Sequence, residues 1–467
     1  MELADLKHKK IAVLGFGVEG RAVAKYLRES GISFDVLDKS AKLQKPPELA
    51  DCDFILGAGY LSRLKNYDII FRSPGISVNL PEIADAKKSG VIVSSQIKYF
   101  FENCPAKIIG VTGTKGKGTT STLIYNILNA QGFNCHLGGN VGADVISLVG
   151  NLSPSDWVVL ELSSFQLQDL EQSPHIAVVL MVEAEHLDVH KDEREYVEAK
   201  SSITKFQSEN DFAVINVDFR NSAVIGAGGK AQKFYIQTLN AEDAGKPLKI
   251  KNGIFADQGK AEIYAVRDGH LSEYFALRYL TIRGFHMVQN VCAAIMAAEL
   301  AGARDEIIKQ EISNFKGLEH RMELVAEIGG AKYYNDSIGT TPQACIAAVK
   351  AFEEPTIAIC GGFDKKADYE QLGADLGKLK NLKAAVLIGA IAPRLANSLE
   401  QSGFRGKILS GASSMKEAVE QARGMAEPGD TVILAPGTSS FDMFKDYKDR
   451  GEQFKASVRN LFAKTGA

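Results

Sequence analysis

The stretch Gly110-Val-Thr-Gly-Thr-Lys-Gly-Lys-Gly-Thr-Thr120 decides how the rest of the chain is read. It follows the apolar run that opens at Lys107-Ile-Ile and precedes the helical pattern Ser121 to Gln131, so a strand, a glycine-rich turn and a helix succeed one another. In that setting the glycines let successive backbone N–H groups turn inward toward an anion. The helix N-terminus adds partial positive charge, and Lys117 supplies a full charge to the outer phosphates. The expectation is a nucleotide-phosphate cradle made of Gly113, Thr114, Lys115, Gly116, Lys117, Gly118, Thr119 and Thr120, with the Thr119 hydroxyl turned to Mg2+. The string departs from GxxxxGK[ST], because Gly118 stands at the Ser/Thr position and the first glycine comes one residue early. The bland alternative is a strand-to-helix turn with exposed lysines.

Apolar runs on either side extend the pattern. Lys10 to Gly15, Ser33 to Asp38, Asp53 to Gly57, Tyr67 to Ser73 and Val91 to Ser94 alternate with helical segments, which predicts a parallel sheet with crossover helices. A second series starts at Lys107 and runs through Trp157-Val-Val-Leu-Glu, Ile176-Ala-Val-Val-Leu and Phe212-Ala-Val-Ile-Asn. Between Ala231 and Ile282 the runs become strand-like and are punctuated by Asn252-Gly253 and Asp268-Gly269, which predicts an antiparallel side sheet with tight turns. A long apolar helix, His286 to Ala301, closes this part, and a third series follows at Thr356 to Cys360, Ala384 to Gly389 and Thr431 to Ala435. The expected fold class is α/β in three domains: a Rossmann-like domain over 1–96, a P-loop-type mostly parallel sheet over 97–317, and a second Rossmann-like domain over 318–467.

Bulk properties narrow the partners. A chain of 467 residues with 45% hydrophobic and 24% charged residues has an ordinary globular composition and can bury several cores. A formal charge of −3 offers no global basic field for nucleic acid. No run approaches the roughly 20 apolar residues that span a bilayer, and Met1 to Lys10 is polar, so neither a membrane nor a secretory route is expected. The six cysteines lie far apart without a CxxC pair, which fits a reducing cytoplasm.

The segment TGTKGKGT resembles the TGTNGKxT signature of the Mur ligases and folylpolyglutamate synthetases. Glu161-Leu-Ser-Ser-Phe-Gln-Leu167 is similar to the string of the glutamate-adding Mur ligases. Behind it come Glu185-His186-Leu-Asp188 with Tyr196 and Lys200, His286 and Asn290, Gly317-Leu-Glu-His-Arg321, Asn335-Asp-Ser337, Gly361-Gly362 with Lys365, and Ser439-Ser-Phe-Asp-Met-Phe444, in the order that family shows. The resemblance spans the whole chain. It implies a cytoplasmic, monomeric ligase that uses ATP and Mg2+ to join D-glutamate to UDP-N-acetylmuramoyl-L-alanine for peptidoglycan.

It also implies roles. Thr119 and Glu161 would bind one Mg2+. His186 would bind a second, supported by Lys200 once CO2 has carbamylated it and turned a cation into an anion. Read from the sequence alone, Lys200 is an ordinary solvated lysine. Asn290 would meet adenine, Arg321 the phosphates and Asp336 the ribose, the last two from a C-terminal lid. Thr340, Lys365, Ser440, Phe441 and Tyr447 would take the incoming glutamate.

The N-terminal Gly15-Phe-Gly-Val-Glu-Gly20 with Asp38 closing the next strand meets the dinucleotide fingerprint, and read alone it points to NAD and an oxidoreductase. In the Mur ligases this region holds the uridine diphosphate sugar instead, and the matching positions here are Gly15, Gly17, Val18, Glu19, Gly20, Asp38, Lys39, Ser73 and Asn140, with His186 beside them. Several positions depart from the family. Lys115 replaces an asparagine, Met181 an asparagine ahead of the His186 segment, Glu185 an aspartate, and Met287 the asparagine after His286. Asn335-Asp-Ser-Ile-Gly-Thr340 stands where NDSKAT is usual, so a lysine is lost. Ligation of L-glutamate, or a folylpolyglutamate-type reaction, stays open on these residues.

Overall fold

The computed structural model describes all residues except 141–143, 184, 186–190, 241–247, 283–284, 366 and 466–467, and the side chains except those at 285, 286 and 462–465 as well. The chain divides into two compact units, Met1–Phe315 and Lys316–Ala467. Three sheets are present among the described residues.

The first unit holds two of them. β1 (Ile11–Leu14), β2 (Asp35–Asp38), β3 (Phe54–Leu56), β4 (Ile69–Arg72) and β5 (Ile92–Ser94) form a five-stranded sheet in the order β3-β2-β1-β4-β5. All its pairings are parallel. β1 and β4 are buried at every residue, as strands covered by helices on both faces must be. The order reverses between β1 and β4, so the turns after these strands open into the crevice where α/β sheets take ligands.

β6 (Lys107–Thr112), β7 (Cys135–Gly139), β8 (Trp157–Glu161), β9 (Ile176–Val179), β10 (Phe212–Asn216), β11 (Gln232–Leu239), β12 (Gly253–Asp257), β13 (Glu262–Arg267) and β14 (His270–Ala276) form a nine-stranded sheet in the order β14-β13-β12-β11-β10-β9-β6-β8-β7. Among the described residues only the β12–β13 and β13–β14 pairings of this sheet are antiparallel. The antiparallel strands expected between 231 and 282 are thus continuous with the main sheet through β11. Asp268 (φ 50°) and Gly269 (φ 82°) make the two-residue turn between β13 and β14. Asn252-Gly253 makes no hairpin. It opens β12, which runs parallel to β11, and a Cβ on Gly253 would run into the Tyr235 carbonyl.

The helices Lys117–Ala130 and Phe285–Leu300 pack together against this sheet. The second is buried almost all round, including Val291, Cys292, Ala294, Ile295 and Ala298, which is why its sequence reads as apolar on every face.

The second unit contains β15 (Glu323–Ile328), β16 (Ala331–Asn335), β17 (Thr356–Gly361), β18 (Leu382–Ile388), β19 (Lys407–Ala412) and β20 (Thr431–Leu434), in the order β15-β16-β20-β17-β18-β19. The sheet is parallel apart from the β15–β16 hairpin. Apolar clusters on both faces are covered by helices that include Pro342–Lys350, Met415–Arg423 and Tyr447–Thr465. Among the described residues no helix is long and apolar enough to cross a membrane.

Candidate active site

The phosphate loop leaves β6 and turns at Gly116, whose φ of 88° places it in the left-handed region. A side chain there would be strained, and a Cβ would run into the Asn290 amide. The helix then begins at Lys117. Thr114 anchors the loop from below: its N–H donates to the Met181 carbonyl at 2.7 Å and its hydroxyl to the Glu183 carbonyl at 2.8 Å. The same hydroxyl accepts from the Glu183 N–H at 3.0 Å and lies 3.0 Å from the Tyr196 hydroxyl. Lys117 curls over the loop, donating to the Gly113 and Thr114 carbonyls, both at 3.0 Å. Lys115 is exposed, and Thr119 and Thr120 are buried in the first helical turn.

Lys200, on the helix Glu193–Lys205, is 1% exposed, in contrast to the solvated residue its sequence context suggests. Its ammonium donates to the Thr112 hydroxyl at 3.3 Å and the Gly113 carbonyl at 3.2 Å, and lies 4.8 Å from the centre of the Tyr196 ring. Burial, and then the neighbouring Lys117 charge, pull its pKa down to about 7. Neutral amine is therefore plentiful at physiological pH. Glu161 ends β8, paired beside β6 at Val111, and is 8% exposed.

The glycine turn after β1 has the same backbone logic. Gly15 (φ 87°) donates its N–H to the Leu37 carbonyl at 2.7 Å, and its carbonyl accepts from the Ser73 hydroxyl at 2.7 Å. Asp38 holds the turn from the next strand by accepting from the N–H groups of Phe16 and Ser40, both at 2.8 Å. The helix Val18–Glu29 starts here with Gly17 as its N-cap and Val18 standing out 89% exposed. Lys39 is exposed as well. Gly20 lies so close to the Gly15 carbonyl that a Cβ would collide with it.

One cleft of about 310 Å³ joins the two turns. Glu19 and Pro74 enter it from the first sheet, and Lys117, Asn140, Glu185 and Lys200 from the second. Sequence reasoning gathered Glu19, Lys117, Asn140 and Lys200 for this place. His186 lies outside the described residues.

Two linking side chains escaped it. Gln166 donates to Glu19 at 2.7 Å. Arg72, 2% exposed, donates to the carbonyls of Ser73 (3.2 Å), Pro74 (3.5 Å) and Ile76 (2.5 Å) and to Asp169 at 3.2 Å. The signal for Arg72 was a charged residue ending the apolar run Ile69-Ile-Phe.

In the second unit Arg321 is exposed between two non-glycine residues with positive φ, His320 (62°) and Met322 (48°). Asp336 is 6% exposed, accepts from the Met322 N–H at 3.1 Å, and is pushed up to about 7 by burial. Thr340 and Tyr447 are half-buried, Lys365 is exposed, Ser440 is 1% exposed, and Phe441 stands 66% exposed against Phe363. Arg450, unforeseen in the sequence, is fully buried and ties two of these loops together. It donates to the Ser337 hydroxyl (3.0 Å), the Ser337 carbonyl (2.8 Å) and the Thr438 carbonyl (3.1 Å).

Residues 9–95 match the MurD-like N-terminal domain of the Mur ligases, 111–298 the Mur ligase middle domain, and 320–438 the Mur ligase glutamate ligase domain. A curated relative from Acetivibrio thermocellus, named UDP-N-acetylmuramoylalanine--D-glutamate ligase, is 40% identical over 469 residues, covering 98% of this chain and 98% of its own. The chain belongs to the Mur ligase family. A relative of the same name from Ruminiclostridium cellulolyticum is 37% identical over 467 residues, again covering 98% of both chains. Among solved structures, MurF from Acinetobacter baumannii aligns over 99% of this Mur ligase and 92% of its own chain, with TM-score 0.57 at 16% identity. The MurC ligase from Thermotoga maritima aligns over 97% and 100% with TM-score 0.54 at 18% identity. Both support the fold of this Mur ligase.

Proposed function

We propose that this Mur ligase joins D-glutamate to UDP-N-acetylmuramoyl-L-alanine at the expense of ATP. The observation that carries the reading is the single cleft in which the phosphate loop's Lys117 and the buried Lys200 meet Glu19 and Pro74 from the glycine-turn side. A triphosphate on the loop and a carboxylate arriving from the first sheet would meet there, and the names of the relatives supply the substrate class.

The γ-phosphoryl group passes to the alanyl carboxylate, giving an acyl phosphate and ADP. The glutamate amine then attacks the acyl carbon, phosphate leaves, and the amine sheds a proton as the amide forms. Lys117 offsets charge on the moving phosphoryl group. Asn290, whose amide packs at Gly116, would serve the adenine of the bound nucleotide, as the family resemblance implies. Residues 1–96 take the UDP-sugar through Gly15, Gly17, Val18, Glu19, Gly20, Asp38, Lys39 and Ser73, joined by Asn140 and His186 of the next domain; residues 97–317 take ATP, and residues 318–467 take glutamate through Thr340, Lys365, Ser440, Phe441 and Tyr447, with Arg321 and Asp336 serving the nucleotide.

Thr119, in the first turn of the helix that follows β6, and Glu161, at the end of the neighbouring strand β8, offer oxygen donors of the kind that suits a hard divalent cation such as Mg2+. His186 and carbamylated Lys200 would support a second. Bound Mg2+ supplies charge neutralisation on the phosphates. Lys200 is suited to carbamylation because its neutral amine is the form that attacks CO2, forming an N–C bond and losing a proton. Phosphate release measured with Mg-ATP and UDP-N-acetylmuramoyl-L-alanine, with D-glutamate, L-glutamate or neither, tests the reaction. Stimulation by D-glutamate alone is expected, and no stimulation by either amino acid overturns the reading.

A further inference from the structure

Glu19 is an acid where an anion is expected to bind. It sits in the first turn of the helix Val18–Glu29, directly after the glycine turn, and lines the cleft. One carboxyl oxygen, Oε1, accepts from the Gln166 side chain at 2.7 Å. The other, Oε2, is buried and has no hydrogen-bond partner among the described residues. An ionised carboxylate with a buried, unsatisfied oxygen is costly, whereas a carboxylic acid can place its proton on that oxygen and donate.

We propose that Glu19 is protonated when the UDP-sugar binds and that its side chain turns Oε2 from its buried position into the cleft to donate to an oxygen of the diphosphate, so that binding at a pH where the group is ionised draws one proton from solution. The inference rests on the proposed substrate. No covalent bond breaks, and the diphosphate keeps its charge. The surroundings agree. Burial raises the Glu19 pKa to about 7, the Gln166 bond and Arg72 from the end of β4 act against this, and Asp144 adds to it. Asp169, from the segment after the helix Ser164–Leu167, is paired with Arg72, while Lys117, Glu185 and Lys200 face the same cleft. A diphosphate brought close would raise the Glu19 pKa further.

The sign follows directly. Below pH about 7 the group already carries its proton, so the ligand binds without uptake. Above it the binding-competent fraction falls, and affinity should weaken about tenfold between pH 6 and pH 8.

The test is isothermal titration calorimetry of the whole enzyme with UDP-N-acetylmuramoyl-L-alanine, at several pH values, in buffers of different ionisation enthalpy. Wild type should take up close to one proton more per ligand at pH 8 than at pH 5.5. Glu19→Gln should lose that increment and bind with an affinity flat in pH. Lys200 also titrates near neutrality, so an undiminished uptake in Glu19→Gln would assign the proton elsewhere and overturn the proposal. Should Glu19→Gln fail to fold, Gln166→Leu serves: losing a hydrogen bond that favours the ionised form should move the weakening to higher pH, and an unmoved profile overturns the proposal. Binding with no pH dependence defeats the proton assignment alone, whereas absence of binding at pH 6 defeats the proposed substrate and the assignment with it.

Discussion

Two turns of the first unit each rest on a buried cation, and the two cations are treated differently. Under the glycine turn Arg72 is 2% exposed, paired with Asp169, and bound to three carbonyls of the Ser73–Ile76 turn. Under the phosphate loop Lys200 is 1% exposed and meets a hydroxyl, a carbonyl and an aromatic ring, with no carboxylate at ion-pair distance among the described residues. The paired guanidinium fixes a shape, while the ammonium sits where losing its charge is easy. A brace needs its counter-ion; a lysine with the proposed role of neutral amine and then carbamate is better without one.

Breaking the brace should have the largest effect. Arg72→Met leaves the largely enclosed Asp169, its side chain 11% exposed, without its partner and should cost about 3 kcal/mol in urea unfolding; a loss under about 1 kcal/mol would end the contrast with Lys200. Next comes Lys117→Ala, which removes charge stabilisation of ~3 kcal/mol and should lower kcat about a hundredfold in the phosphate-release assay, with calorimetric binding of the UDP-sugar little changed. Gly116→Ala forces a side chain into a left-handed turn and against Asn290, and should destabilise the protein by about 1–3 kcal/mol while raising KM for ATP more than KM for the UDP-sugar. The smallest change in stability belongs to Lys200→Met. Replacing an unpaired buried ammonium by an apolar chain of similar length should leave unfolding within about 1 kcal/mol of wild type, while ligation is lost. Equal destabilisation by Arg72→Met and Lys200→Met would show that both cations are structural.

The strands of the first sheet and most of those in the other two were legible as short apolar runs between turn residues, and the phosphate loop because glycines and lysines follow such a run; β7, β15, β16 and β19, in which polar residues or glycines interrupt the apolar run, were not foreseen. Legibility failed where two identical-looking signals meet different surroundings. Asp268-Gly269 turns a hairpin, whereas Asn252-Gly253 begins a parallel strand whose glycine answers to the backbone of β11. Lys200 looked solvated because burial of a charged residue on an amphipathic helix depends on what the helix packs against, here the loop after β6. Arg72 and Arg450 could be noticed only as charges at odd places, since their partners lie 97 and 113 residues away in sequence.

The order of strands and helices, the glycine turns and the family of this protein were determined by the sequence itself, through periodicities and spacings that act over a few residues. The protonation tendencies of Glu19 and Lys200 and the pairing of Arg72 with Asp169 were decided only by tertiary structure. Each depends on how much water is excluded and which charge stands within a few ångströms, and distance in space is what no local spacing encodes.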